Sequence, residues 1–365
     1  MKKFVPITPL CALLACGTAE SSLSTDSAED AGSTSRLDAR RTGELSDDVE
    51  LDGESHPLGA SCSTTSASGL MACVDGDKYQ QHLRTVTGVR TPGSTHWQQV
   101  QDYCAAELSK LGFTVERQQY ATGVNVIGVL PGGDLKSEQV VISAHYDHIA
   151  GCMGADDNAS GVAGALEAAR VLAQRSYRRT LAVACWDEEE RGLLGSRAWA
   201  DRAKQNNVNV KAGFVFEMIG YKSTKPSSQS MPFGSALLFP ELARKINQNG
   251  GRGDFVALIA NDKAHDPLTR LLARSQEIGL LAMSVELTTA QTNNILYSPM
   301  KRSDHAAFWG HGWGGIMIGD TGNFRNTHYH CLNGTNDDIP DLDQTFATQI
   351  VSATVGAAAD TLELR

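Results

Sequence analysis

Val140-Val141-Ile142-Ser143-Ala144-His145-Tyr146-Asp147-His148 is the stretch on which the reading of this 365-residue chain turns. Five small or apolar residues, with Ser143 the one hydroxyl among them, run without a charge into a histidine, an aspartate and a second histidine. A short continuous apolar run of this kind is a strand buried on both faces. Its carboxyl end carries the imidazole of His145, at the edge where open α/β sheets place their sites. Outward from it the rhythm alternates. Gln98 to Leu111 reads as a helix, with apolar Val100, Tyr103, Cys104 and Leu108 at helical spacing. Val124 to Leu130 reads as a strand stopped by Pro131-Gly132-Gly133. An alanine-rich helix is expected over Asn158 to Gln174, then a strand over Leu181 to Trp186. Phe214 to Phe216 and Gly315 to Ile318 are further short strands, and Gln344 to Leu362 is a final helix. Buried strands interleaved with helices indicate an α/β sheet covered on both faces. Tyr221 to Met300 carries no recognisable chemistry and is expected to supply loops and helices that shape a side-chain pocket.

The chemistry lies just past those strands. After His145 come Asp157 in Gly154-Ala155-Asp156-Asp157-Asn158-Ala159-Ser160-Gly161, Glu190 in Glu189-Glu190-Arg191-Gly192, Glu217 in Phe216-Glu217-Met218-Ile219-Gly220 and His330 in His328-Tyr329-His330. Two imidazoles and three carboxylates can hold two divalent cations if one carboxylate is shared. Two zinc ions bring four positive charges; three carboxylates and a bridging hydroxide cancel them, so the centre can persist in a partly buried cleft. Zinc accepts nitrogen and oxygen ligands and lowers the pKa of bound water towards neutrality. Glu189 is then free to move protons. The acidic run Asp187-Glu188-Glu189-Glu190 follows directly on an apolar strand, a costly arrangement unless cations meet it.

The order and wording of these motifs resemble the bacterial co-catalytic zinc aminopeptidases, the family that also holds the glutamate carboxypeptidases and glutaminyl cyclases. The resemblance runs from about Gly76 to the C-terminus. It implies a three-layer α/β/α sandwich around a mixed, mostly parallel sheet of about eight strands. It also implies a hydrolase that removes N-terminal residues, apolar ones above all, with two zinc ions per chain. Carried over residue by residue, Asp157 bridges the metals, His145 and Glu217 complete one, and Glu190 and His330 complete the other. Glu189 matches the general base, Asp147 the carboxylate that orients His145, and Tyr329 a donor to the oxyanion. The peptide bond after the bridging aspartate, here Asp157-Asn158, can be cis in such proteins.

Two positions depart from the pattern: Glu217 stands where many relatives have aspartate, and Asn158 where several have a third acid. Three other readings stand beside the aminopeptidase. A glutaminyl-cyclase-like enzyme normally uses one zinc, and retention of both His145 and Glu217 argues against it. A carboxypeptidase needs a cationic pocket, which isolated Arg and Lys residues in 221–302 leave open. A non-catalytic zinc-binding lipoprotein would be expected to lose Glu189. His148 reads as a supporting or structural group. His305, in Ser303-Asp304-His305, reads equally as a pocket residue or a structural His–Asp pair. Arg252-Gly253-Asp254 is a chance tripeptide.

The remainder concerns address and redox state. Residues 1–16, with Lys2-Lys3, an apolar run and Leu13-Leu14-Ala15-Cys16, read as an export signal, either of the lipoprotein type with Cys16 lipidated, the favoured reading, or an ordinary cleaved one that leaves the protein secreted. Residues 17–60 read as a disordered Ser/Thr-rich acidic tether, and 61–365 as a single peptidase domain. Eleven acidic residues between Glu20 and Glu54 oppose three arginines, so most of the chain's net charge of −10 sits in the tether. It favours solubility and reach, and no nucleic acid is expected. Peptides are the expected partners, membrane contact would come only through Cys16, and a monomer is expected. An exported chain can form disulfides. Cys62–Cys73 would close a short loop. Cys152–Cys331 would brace loops that the metals bring together. Cys104 and Cys185 read better as buried free thiols than as a pair, with their pairing left open.

Overall fold

The computed structural model describes Cys62 and residues 64–365. The expected signal and tether lie outside the described residues. Eight strands form one sheet: β1 (Thr114–Gln119), β2 (Val124–Leu130), β3 (Leu135–His145), β4 (Arg179–Trp186), β5 (Asn209–Glu217), β6 (Val256–Asn261), β7 (Ala282–Leu287) and β8 (Gly315–Gly319). Their order is β1-β2-β4-β3-β5-β8-β6-β7. β4, β3, β5 and β8 are mutually parallel in the centre, β2 and β6 run against them, and β1 and β7 close the edges.

The central strands are apolar throughout because each face has its own core. Along β3, Val140, Ile142 and Ala144 enter one core and Val141 the other; along β4, Leu181, Val183 and Cys185 enter the first while Ala182, Ala184 and Trp186 enter the second. Period-two geometry sends successive side chains to opposite faces, and with helices on both faces no polar face is needed. The first core is closed by helices that include Gly161–Leu172 and Gln344–Leu362; the second by helices Leu194–Gln205 and His305–Gly310. Alanine dominates the helices on the first face for a steric reason. At Gly164 even a Cβ would come within 2.9 Å of Ile219 and 3.0 Å of Val351. This is a three-layer sandwich around a mixed, mostly parallel sheet.

Two expectations needed correction. The Tyr221–Met300 segment is more than loops and helices: it supplies β6 and β7, which extend the sheet beyond β8. β7 is broken by Ser284 and Glu286 and so lacks the apolar run that marks the central strands, whereas β6 carries such a run over Val256–Ala260. The alanine-rich helix begins at Gly161 and not at Asn158. Asp157 and Asn158 have non-helical backbone angles, and the peptide between them is cis. No helix among the described residues is long and apolar enough to cross a membrane.

Candidate metal centre and active site

Strand order creates the site. The chain leaves β3 for β4 on one side, then crosses back over β3 to β5 on the other, so the strand order reverses around the carboxyl end of β3. His145 is the last residue of β3 and is paired in register with Trp186, after which Asp187–Glu190 begin. Glu217 ends β5 beside Gly319, and the segment that follows β8 leads to His330. Asp157 lies in the turn between β3 and helix Gly161–Leu172.

Around Asp157 the five residues form two half-sites. Its Oδ1 lies 3.3 Å from His145 Nε2, which is 3.5 Å from Glu217 Oε2. Its Oδ2 lies 3.2 Å from His330 Nε2, which is also 3.2 Å from Glu190 Oε2. Each carboxylate oxygen of Asp157 thus faces one imidazole and one further carboxylate. The separations are long for charge-assisted hydrogen bonds, which close to about 2.7–2.9 Å. They match the edge of a tetrahedron, because ligands about 2.0–2.1 Å from zinc stand roughly 3.3 Å apart. His145 Nε2 and Asp157 Oδ1 are buried without a hydrogen-bond partner. Buried polar atoms rarely go unpaired, and a cation satisfies a donor set of this kind.

The neighbours hold these groups in place. His145 Nδ1 lies 3.2 Å from the carbonyl and 3.4 Å from Oδ1 of Asp147, an arrangement that keeps the proton on Nδ1 and aims the Nε2 lone pair at the centre. The Asp147 carboxylate also accepts the backbone N–H groups of Glu189 (3.0 Å) and Glu190 (3.2 Å). One buried residue therefore orients both the imidazole and the acidic turn. His148 Nδ1 donates to Glu190 Oε1 at 2.8 Å, leaving Oε2 of that carboxylate for the centre. Ser303 Oγ donates to Glu217 Oε2 at 2.5 Å, which steadies that carboxylate. Asp337 accepts the N–H groups of Asp156 and Asp157. Its own pKa is pushed up to about 7, by burial first and then by the Asp156 charge.

The acidic run divides by direction. Asp187 is structural, accepting from Trp97 Nε1 (2.8 Å) and Val124 N (2.9 Å), and burial lifts its pKa to about 6. Glu188 is buried and bonded to Thr122 and Arg191. Glu189 joins His145 and Glu217 in a group whose ligand atoms lie within 4.8 Å of one another. Its pKa is raised well above that of an ordinary glutamate by burial, with the nearby acids adding and His145 opposing. His148, Asp157 and Glu190 form a second such group. The direct His148–Glu190 hydrogen bond makes His148 the support and leaves His330 to face the centre. Glu188, Met218 and His330 have φ of 54°, 53° and 56°, so non-glycine residues in the left-handed region adjoin or belong to the site on three segments. Such strain gathers where a surrounding structure imposes it for function.

Tyr329 stacks on the His330 imidazole, ring centroids 3.8 Å apart. His305 does not pair with Asp304: its Nε2 bonds the Met300 carbonyl at 2.8 Å, its ring abuts Trp309, and burial lowers its pKa to about 4. Cys152 and Cys331 are neighbours with Cα atoms 5.7 Å apart, and Cys62 and Cys73 at 5.9 Å, both within the span of a disulfide. Cys104 and Cys185 are buried and free.

Arg90 was invisible in the sequence, since nothing in Gly88-Val89-Arg90-Thr91 marks it. Its guanidinium is fully buried and donates only to backbone carbonyls, those of Val86, Gly88, Tyr146, Met153, Gly154 and Asp157. It therefore ties the His145 and Asp157 loops to the first face. Burial lowers its pKa to about 10 against the pull of Asp157 and Asp337. Arg90→Met is expected to cost about 3–5 kcal/mol of stability in urea unfolding, because it strands these carbonyls and removes the cation facing the acids. A loss below about 1 kcal/mol would show that water replaces it.

The profile of Peptidase family M28 matches residues 125–355. An uncharacterised Escherichia coli protein, YfbL, is 31% identical over 210 residues, covering 54% of this chain and 60% of the relative. Leucine aminopeptidase 1 of Emericella nidulans is 34% identical over 140 residues, 34% of this chain and 35% of its own length. The chain thus spans about three-fifths of one curated relative and a third of the other. Among solved structures, the LapA aminopeptidase of Legionella pneumophila superposes with a TM-score of 0.62 at 17% identity, over 81% of this chain and 72% of that one, a likeness of fold.

Proposed function

The chain belongs to peptidase family M28, and on that premise we propose that it is a two-zinc aminopeptidase that hydrolyses the N-terminal peptide bond of peptides, apolar N-terminal residues preferred. The observation that carries this reading is the pair of half-sites sharing Asp157, with unpartnered buried donor atoms facing inward. His145, Glu217 and one oxygen of Asp157 would hold one ion; His330, Glu190 and the other oxygen would hold the second. Bound there, the ions would supply a water acidified towards neutral pH and positive charge to polarise the scissile carbonyl.

The remaining steps belong to the protein's own groups. Glu189 takes a proton from the attacking water, and its raised pKa suits it to keep that proton and deliver it to the leaving nitrogen. Tyr329 Oη donates a hydrogen bond to the oxygen that gains charge. Asp147 holds His145 and the Glu189 backbone so that base and ligands share one frame. Export with a lipid on Cys16, the Cys62–Cys73 and Cys152–Cys331 bonds, and a monomeric state complete the proposal.

Hydrolysis of a leucyl anilide, compared with its N-acetylated twin in the presence of zinc, tests it. Turnover of the free amine alone is expected; equal turnover of both would make the protein a broader amidase. A second expectation concerns the support of Glu190. His148→Ala should weaken zinc binding by about 10–100-fold in chelator competition, since the freed carboxylate oxygen can then swing. Unchanged affinity would make His148 a packing residue only.

A further inference from the structure

Tyr329 can donate to an oxyanion only if its proton points to the centre, and a phenol rotor is not directed by its own ring. The hydroxyl oxygen lies 3.1 Å from Arg302 Nη2, and a guanidinium can only donate, so in this contact the phenol is the acceptor. Arg302 is itself held: Nη1 donates to Asn323 Oδ1 at 2.9 Å, and the guanidinium lies over the Phe324 and Tyr329 rings, 5.9 Å from each centroid. The Tyr329 ring also stacks on His330. The ring thus stacks on an imidazole while its oxygen accepts from a charged donor. A hydroxyl that accepts from a cation must aim its own proton elsewhere and becomes a stronger donor.

We infer that Arg302 is a positioning residue that turns the Tyr329 hydroxyl into a fixed, strengthened hydrogen-bond donor to the tetrahedral oxyanion. This rests on the peptidase reading of the site. Arg302 is exposed, so its contact adds little to folding, and a structural role would leave a different signature from a catalytic one.

The experiment compares wild type, Tyr329→Phe, Arg302→Met and the double variant in the full chain with zinc. Methionine keeps an apolar stem over the two rings and removes every donor. With leucyl anilide, Tyr329→Phe should lower kcat on the order of 100-fold. Arg302→Met should lower it on the order of tenfold, with KM within about twofold of wild type and the melting temperature unchanged. The double variant should match Tyr329→Phe alone, since Arg302 has nothing to act on once the hydroxyl is gone. Affinity for the boronic-acid analogue of leucine, which becomes tetrahedral, should fall by the same factors as kcat, whereas affinity for leucine should not.

An Arg302→Met effect that persists in the Tyr329→Phe background, or that falls on KM, would overturn the proposal and make Arg302 a direct substrate contact. A wild-type rate in either single variant would overturn it too. Wild-type protein inert to both the anilide and the boronate would overturn the peptidase reading, and this inference with it.

Discussion

Glu189→Gln is expected to lower kcat about 10³-fold while zinc content and unfolding midpoint stay close to wild type. The amide has the shape of the carboxylate but cannot take a proton from water, and general-base catalysis contributes about 10²–10⁴-fold. Glu189 is the one carboxylate of the cluster that lies outside both half-sites around Asp157, so its loss leaves the atoms of both half-sites intact. The backbone is held independently, through its N–H to Asp147. The variant therefore separates proton transfer from metal binding. Stopped turnover with both metals retained supports the assignment. Loss of metal along with activity would place Glu189 among the ligands, as its proximity to His145 and Glu217 would allow.

Removal of metal should have the second large effect. A chelator is expected to abolish turnover, with zinc restoring it at two ions per chain. The stripped protein leaves four carboxylates, Asp157, Glu189, Glu190 and Glu217, around one cleft, with the imidazoles as their nearest counter-charges. Metal that binds only the folded chain stabilises it by about 2.7 kcal/mol at a hundredfold excess over Kd, so the urea midpoint should fall on chelation. Restoration of full activity at one ion per chain would favour the single-metal chemistry of the cyclase reading. Asp157→Asn should mimic much of this loss, because a neutral amide offers one oxygen where two oxygens face two imidazoles.

The parts of this molecule that were legible in the sequence are those where one physical demand dominates. Val140–Ala144 and Leu181–Trp186 run without a charged residue because they are covered on both faces, and the five residues singled out in the sequence, His145, Asp157, Glu190, Glu217 and His330, come together around Asp157. The bounds of Val124–Leu130 and Gln344–Leu362 agree with the structure to the residue. At the sheet edge, β7 was missed because Ser284 and Glu286 dilute its pattern; β6, paired on both sides, carries the legible apolar run Val256–Ala260 and was passed over. Ser303 was noticed only as a neighbour of His305, and Arg90 not at all. Their partners, Glu217 and a set of backbone carbonyls, are chosen by three-dimensional proximity that leaves no local trace. The double duty of Asp147 was half visible: the family resemblance implied the imidazole contact, but its grip on the Glu189 and Glu190 backbone spans two loops.

The central claim is that the protein shortens peptides from their amino end. Incubating the zinc-loaded protein with an apolar peptide and with its N-acetylated form, and following both by mass spectrometry, tests it most directly. Stepwise loss of residues from the amino end of the free peptide is expected, with the acetylated one intact. Shortening from the carboxyl end, internal cleavage of both peptides, or loss of ammonia or water from an N-terminal glutamine or glutamate peptide without shortening would contradict it.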